Sequence, residues 1–156
     1  MITVKQFLTE NNKSTWTIDK NKSVREALVL MKEKNIGCVI VTNENNKIEG
    51  IFSERDYARK CVLEGLNSQD TKVNQLMSKN IISISGDEQI DACMKIMTDK
   101  RIRHLPVLKE NEILGIISIG DVVKIMINEQ KYLIDQLQKF ITTWFSLISI
   151  SSAVKI

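Results

Sequence analysis

GIFSERDYARK (Gly50–Lys60) and GIISIGDVVK (Gly115–Lys124) are the two stretches that decide how this chain folds. Both contain Gly-x-x-Ser-x-x-Asp, at Gly50, Ser53 and Asp56 and again at Gly115, Ser118 and Asp121. In each, an apolar run ends at the Ser and a helical pattern starts near the Asp. A Ser or Asp at such a corner caps the first helical turn by accepting its orphan N–H groups. One copy of the string is most simply a cap. Two copies in corresponding places point to an internal repeat, and repeats govern the whole reading of a fold.

Working outward, SVREALVLMKEKNIGCVIV from Ser23 matches QIDACMKIMTDKRIRHLPV from Gln89, 66 residues later. Val24, Ala27, Leu28 and Met31 follow the i, i+3, i+4, i+7 spacing of a buried helix face, as do Ile90, Cys93, Met94 and Met97. Short apolar runs follow, Cys38–Val41 and Leu105–Leu108, read as buried strands. The polar turns NENNK and KENE lead into second strands that end at Ser53 and Ser118. A further short strand precedes each unit, Trp16–Ile18 and Ile81–Ile84. Each half therefore reads strand, helix, strand, strand, helix.

The expected fold is α/β (α+β), two βαββα repeats related by a pseudo-twofold axis and packed sheet to sheet. A half of roughly 60 residues buries too little surface to stand comfortably alone, and two halves packed together leave clefts between them. The repeats are expected at 4–68 and 69–141. Thr71–Met77 reads as a short connecting helix. The last helix is expected from Asp121 to about Ile141, with Met126, Leu133, Leu137 and Phe140 as its apolar stripe.

Bulk properties narrow the function. At 156 residues, 43% hydrophobic and 26% charged, the chain is ordinary globular material rather than a disordered one. A net charge of +3 is too mild for the dense basic face of a nucleic-acid binder. Cys38, Cys61 and Cys93 form no CxxC pair, and with one histidine a structural zinc site is not expected. The cysteine usage suits a reducing cytoplasm. MITVKQFLTENNKS lacks the apolar core of a signal peptide, and no run reaches the roughly 18 apolar residues that span a bilayer. No second histidine, Cys–His pair or phosphate loop ending in Lys-Ser/Thr offers catalysis, so no enzyme is expected.

The repeated motif carries the chemistry. Exposed N–H groups at a helix start favour anions. A carboxylate at the same corner can accept two hydrogen bonds from a vicinal diol, and a ribose offers that diol. Together with KRIRHLPV (Lys100–Val107), the two motif strings make the chain resemble tandem CBS-domain proteins, also called Bateman modules, of the small stand-alone bacterial type, over about Val4 to Ile141. The resemblance implies a disc-like homodimer and an adenosine ligand such as AMP, ATP or NAD(H) in the cleft. It places the Asp of Ser-x-x-Asp on the ribose hydroxyls.

The two halves differ. The second has Arg103, His104 and Pro106 where the first has Gly37, Cys38 and Ile40. This predicts one stronger site around Asp121 and Ser118, with Arg103 and His104 at its rim. Arg55 and Arg59 would neutralise phosphate from the other half, since Arg grips it bidentately. Ser78, Asn80 and Ile82 would line the base pocket. Ser53 and Asp56 would form a weaker second cleft. Trp16 reads as packing, Cys38 and Cys93 as core, and Cys61 as partly exposed. The expected function is a non-catalytic nucleotide sensor whose regulated partner protein the sequence does not name. The alternatives are a ligand-free interaction module and, with less support, nucleic-acid binding. The tail 142–156 is expected to dock Trp144, Phe145, Leu147 and Ile148 on this chain or on its dimer mate, because left exposed it would invite aggregation.

Overall fold

The computed structural model describes residues 2–110 and 112–153. A short helix, α1 (Val4–Glu10), comes first. The first repeat follows as β1 (Thr17–Asp19), α2 (Val24–Lys34), β2 (Cys38–Thr42), β3 (Ile48–Ser53) and α3 (Glu54–Asp56), which opens into a π-helical turn over Tyr57–Val62. A second short helix, α4 (Val73–Leu76), leads to β4 (Ile84–Ser85), α5 (Ile90–Lys100), β5 (His104–Lys109), β6 (Glu112–Ser118) and α6 (Ile119–Ala153). Each repeat carries a three-stranded sheet, β1-β2-β3 and β4-β5-β6, parallel across the first pair and antiparallel across the second. Even the irregularities correspond, with a register shift at Val41/Thr42 and another at Val107/Leu108. The βαββα repeat is therefore present as expected. The first strands lie slightly later than the apolar patterns suggested, at Thr17–Asp19 and Ile84–Ser85.

The long helices start and stop for local reasons. Ser23 caps α2 in a reciprocal box with Glu26. Asn35 and Arg101, in the left-handed region at φ 52° and 53°, end α2 and α5 and turn the chain into β2 and β5.

The two cores do not follow chain order. Val4, Phe7 and Leu8 of α1 are buried with Ile84, Ile90, Cys93 and Met97 of the second repeat. Val73 and Leu76 of α4 are buried with Ile18, Val24, Ala27 and Met31 of the first. Backbone hydrogen bonds fix this exchange. The first N–H groups of α1 donate from Val4 and Lys5 to the carbonyls of Glu88 and Gly86, at 2.9 and 2.8 Å. Those of α4 donate from Val73 and Asn74 to Lys22 and Lys20, at 2.9 and 3.1 Å. Each short helix so satisfies its otherwise unpaired donors on the loop ahead of a long helix.

The last helix departs from the expected limit at Ile141. It runs unbroken for 35 residues to Ala153, and no Gly or Pro after Gly120 stops it. Val122 and Ile125 are buried in the second core, but Leu133, Leu137 and Phe140 are 59%, 53% and 67% exposed. Docking of the tail on its own chain is not what the structure has: Trp144, Phe145, Leu147 and Ile148 remain largely exposed on the helix. The end of that expected tail, 154–156, lies outside the described residues. Cys61 is also buried rather than partly exposed. Among the described residues no helix is long and apolar enough to cross a membrane.

Gly50 holds the first corner together. A Cβ there would stand 2.6 Å from Met77 Sδ and 3.0 Å from the Ser78 carbonyl oxygen. Ser78 crosses at this point, exchanging hydrogen bonds with Ile51 at 2.8 and 3.0 Å. Gly50→Ala is expected to cost about 1–3 kcal/mol through overpacking, a fall of several degrees in melting temperature that thermal denaturation would read. Gly115→Ala meets side-chain ends rather than backbone, the Leu8 methyls at 3.0 and 3.2 Å and Thr15 Oγ at 3.5 Å, and should cost less.

Candidate functional site

Each strand-to-helix corner is a closed hydrogen-bonded unit. Ser53 Oγ accepts the Asp56 N–H at 3.3 Å, while Asp56 Oδ2 accepts from Ser53 N–H at 3.0 Å and Ser53 Oγ at 2.7 Å. The second corner repeats this: Ser118 Oγ accepts the Asp121 N–H at 3.3 Å, and Asp121 Oδ2 accepts from Ser118 at 2.9 and 2.6 Å. One carboxylate oxygen thus belongs to the cap and the other is turned outward. Asp56 Oδ1 accepts from Lys60 Nζ at 2.7 Å and Ser78 Oγ at 3.0 Å. Asp121 Oδ1 accepts from Lys13 Nζ at 2.6 Å.

Burial is the largest single influence on both acids and would raise their pKa. The hydrogen bonds outweigh it. Lys60, Ser53 and Ser78 hold Asp56 below the usual carboxylate range, and Lys13 and Ser118 do the same for Asp121. Both groups are therefore ionised acceptors at neutral pH. The π-helical turn after Asp56 is part of this arrangement, because it carries Lys60, which also donates to the Leu76 carbonyl at 2.9 Å.

Two clefts lie between the repeats, and they divide the residues that the sequence had grouped together. The first, about 250 Å³, contains Ser53, Asp56 and Arg55 with Ser78, Asn80 and Ile82, and is closed from the second repeat by Arg103 and His104. The second, about 200 Å³, contains Ser118 and Asp121 with Lys13, Thr15 and Trp16. The composite site expected around Asp121 is thus corrected: Arg55, Arg103, Ser78, Asn80 and Ile82 surround Asp56 instead. The cause is the pairing of Ser78 with Ile51, which lays the segment ahead of β4 along the first sheet. Arg59 is exposed and lines neither cleft, and Pro106 is buried within β5.

His104 and Cys38 line both clefts, with Gly37 between them. A Cβ on Gly37 would lie 3.7 Å from the His104 ring and 3.5 Å from Glu54 Oε2. Burial lowers the His104 pKa below its ordinary value, against the pull of Asp121 and Glu54 and with help from Arg103 and Arg55. The imidazole is neutral at pH 7. Burial pushes the Cys38 thiol well up, so it is a wall of the clefts and not a nucleophile.

Lys13 and Thr15, which line the second cleft, are absent from the sequence reading; Trp16, expected as packing, also lines it, and Lys60 meets the Asp56 carboxylate. The repeat offset of 66 points to this segment, since it carries Asn80 and Ile82 onto Ser14 and Trp16, both of which line the second cleft. Trp16 packs its ring beneath Lys34 Nζ at 4.1 Å and also faces the second cleft.

Comparison with known proteins agrees with this architecture. The family model for the CBS domain matches residues 4–62 and 73–128. The mitochondrial CBS domain-containing protein CBSX3 of Arabidopsis thaliana is 35% identical over 123 residues, 76% of this chain and 60% of that protein's length. A signal-transduction protein with CBS domains from Burkholderia ambifaria, described as putative, superposes with a TM-score of 0.77 at 41% identity, covering 83% of this chain and 96% of that one. The CBS domain pair of protein MJ0100, solved with 5'-methylthioadenosine and S-adenosyl-L-methionine, shares the fold at a TM-score of 0.73 and 24% identity, over 83% of this chain and 98% of that one. With two matched copies of the domain, one in each repeat, this chain belongs to the CBS-domain family as a tandem pair.

Proposed function

We propose that this pair is a non-catalytic regulatory module that binds an adenosine-type mononucleotide, with the Asp56 cleft as its principal site. The observation that carries the reading is the convergence at one cleft of an ionised carboxylate, two guanidinium groups and the non-helical segment from Ser78 to Ile82. Asp56 would accept the ribose diol, displacing Lys60 or sharing Oδ1 with it. Arg55 and Arg103 would meet the phosphate, with Glu54 offsetting part of their charge. Backbone groups of Ser78–Ile82 would read the base edge, and Ile82 would cover its face.

The Asp121 cleft offers one cation, Lys13, which is already paired with the carboxylate. It suits a ligand with little negative charge, such as a nucleoside. Both volumes lie at or below the lower end of ligand pockets, about 300 Å³. This favours AMP or ATP over the whole of NAD(H). That the same fold holds adenosine compounds in MJ0100 is in keeping with the reading. Because residues of both repeats line each cleft, a ligand would favour one relative arrangement of the repeats, and a partner protein could respond to that preference.

Titration calorimetry with AMP and ATP tests the assignment. Asp56→Ala removes two charge-assisted hydrogen bonds of about 1.5–3 kcal/mol each, so affinity should fall on the order of a hundredfold or more. Asp121→Ala should leave the phosphorylated ligand bound nearly as before. Arg103→Ala should weaken AMP and ATP and spare adenosine. The reverse order of the two Asp variants would move the site to the other cleft. No heat and no thermal shift with any adenine nucleotide at millimolar concentration would leave a ligand-free interaction module in its place.

His104 adds a pH dependence with a definite sign. Its folded pKa lies below the unfolded value of about 6.5, so the unfolded chain takes up the proton more readily. Stability should therefore fall as pH drops below about 6.5, before carboxylates titrate. In melts between pH 7.5 and 5.5, His104→Asn should show a smaller fall than the parent. Equal slopes would exonerate His104.

A further inference from the structure

The outward oxygens of the two corner carboxylates are each covered by an ammonium group, but not in the same way. On Asp56 the ammonium is Lys60, one helical turn further on, and its Nζ also meets the Leu76 carbonyl at 2.9 Å and Ser78 Oγ at 3.3 Å. Held by three acceptors, it is part of the wall. On Asp121 the corresponding helix position is Ile125, which is buried in the second core. The ammonium there is Lys13 Nζ, which arrives from the segment between α1 and β1 at 2.6 Å. Among the described residues it has no second hydrogen-bond acceptor. Its other neighbour is the Phe7 ring, 5.9 Å from Nζ and so at the outer limit of a cation–π contact.

Lys13 stands on a fixed stretch of chain. Its own N–H donates to the Leu8 carbonyl at 3.1 Å, and Thr15 Oγ donates to the Leu114 carbonyl at 3.2 Å. The side chain can therefore swing while the loop stays. It is 36% exposed and that of Asp121 is 17% exposed, so the ammonium can pass into solvent and leave the carboxylate at the cleft. Lys79 holds the matching place 66 residues later and lines neither cleft. The contact is thus particular to the second cleft and not a product of the repeat.

We infer that Lys13 is a latch on the Asp121 cleft and its specificity-determining residue: the ammonium fills the place of a ribose hydroxyl at Oδ1, and a ligand enters by putting its own donor there. This rests on the reading of that cleft as a nucleoside site. A vicinal diol replaces the displaced donor, and a ligand without hydroxyls does not. Latching lowers affinity by the fraction of chains in which Oδ1 is free. An ion pair partly open to solvent is weak and is screened by salt. Salt should therefore open the cleft to an uncharged ligand.

Calorimetric titration of the full chain with adenosine and with dideoxyadenosine, which lacks the diol, reads the latch at about 50 and about 500 mM salt. Lys13→Met should bind adenosine about three- to tenfold more tightly than the parent. Lys13→Arg, which keeps the ion pair, should bind it as the parent does. Dideoxyadenosine should not distinguish the three proteins. In the parent, high salt should tighten adenosine about twofold, an effect absent from Lys13→Met, and the parent measurement needs no variant to fold. Adenosine bound no better by Lys13→Met, or more weakly, would overturn the latch. So would an equal gain for dideoxyadenosine, which would mean relief of crowding, or a salt response that survives the substitution. AMP titrated into the same proteins keeps the two readings apart. Lys13 does not line the Asp56 cleft, so affinity there should be unchanged in Lys13→Met. Loss of AMP binding throughout, with the adenosine gain present, would sink the Asp56 assignment and leave the latch standing.

Discussion

The structure depends on the reciprocal pairing of Ser with Asp three residues later, made once in each repeat. Ser53 and Ser118 end their strands, and Asp56 and Asp121 close the first turns of the helices that follow. The pairing fixes the corner by occupying Oδ2, and this leaves Oδ1 directed at the space between the repeats. Cap and binding group are therefore one side chain. The carboxylate accepts its Ser donors best when ionised, and burial of the corner, which by itself raises its pKa, is outweighed by those donors and by Lys60 or Lys13. The residue that organises the fold at this point is kept charged by the fold.

Much of this was legible in the sequence because it is local. The faces of α2 and α5, the strands ending at Ser53 and Ser118, and the two Asp corners all follow from spacing within about ten residues. The exchange of α1 and α4 between cores was not read, although Thr3 and Gln6 form a capping box and Val4, Phe7 and Leu8 have helical spacing. The helix itself was visible there. Its destination was not, because it is set by Glu88 and Gly86 carbonyls more than 80 residues away.

The division of the clefts was missed for the same reason. Ser78–Ile82 stands next to the second repeat in the chain and next to the first in space. Its place is decided by a two-bond bridge to Ile51, and Gly50 is a glycine so that this crossing can occur. Pattern reading assigned the segment to the nearer repeat. The end of α6 was misjudged differently: composition changes after Ile141, but a change in composition is not a stop, and neither Gly nor Pro follows.

Pseudo-symmetry then explains why the clefts cannot be equivalent. The repeats meet where β2 and β5 begin, and only one residue of each type occupies that junction. Gly37 and Cys38 present no charge, whereas Arg103 and His104 present a guanidinium and a buried imidazole. An axis that superposes the two folds superposes Gly on Arg, so the electrostatic difference is built in wherever the repeats touch. Arg55 reinforces it from the first repeat, reaching the Arg101 carbonyl across the boundary at 3.3 Å. Each cleft borrows walls from both cores, while the second core borrows α1 from ahead of the first repeat and the first core takes α4 from the segment between the repeats. Residues of both repeats line each cleft, so the clefts exist only in the assembled pair, and a ligand held there would stabilise the junction that defines it.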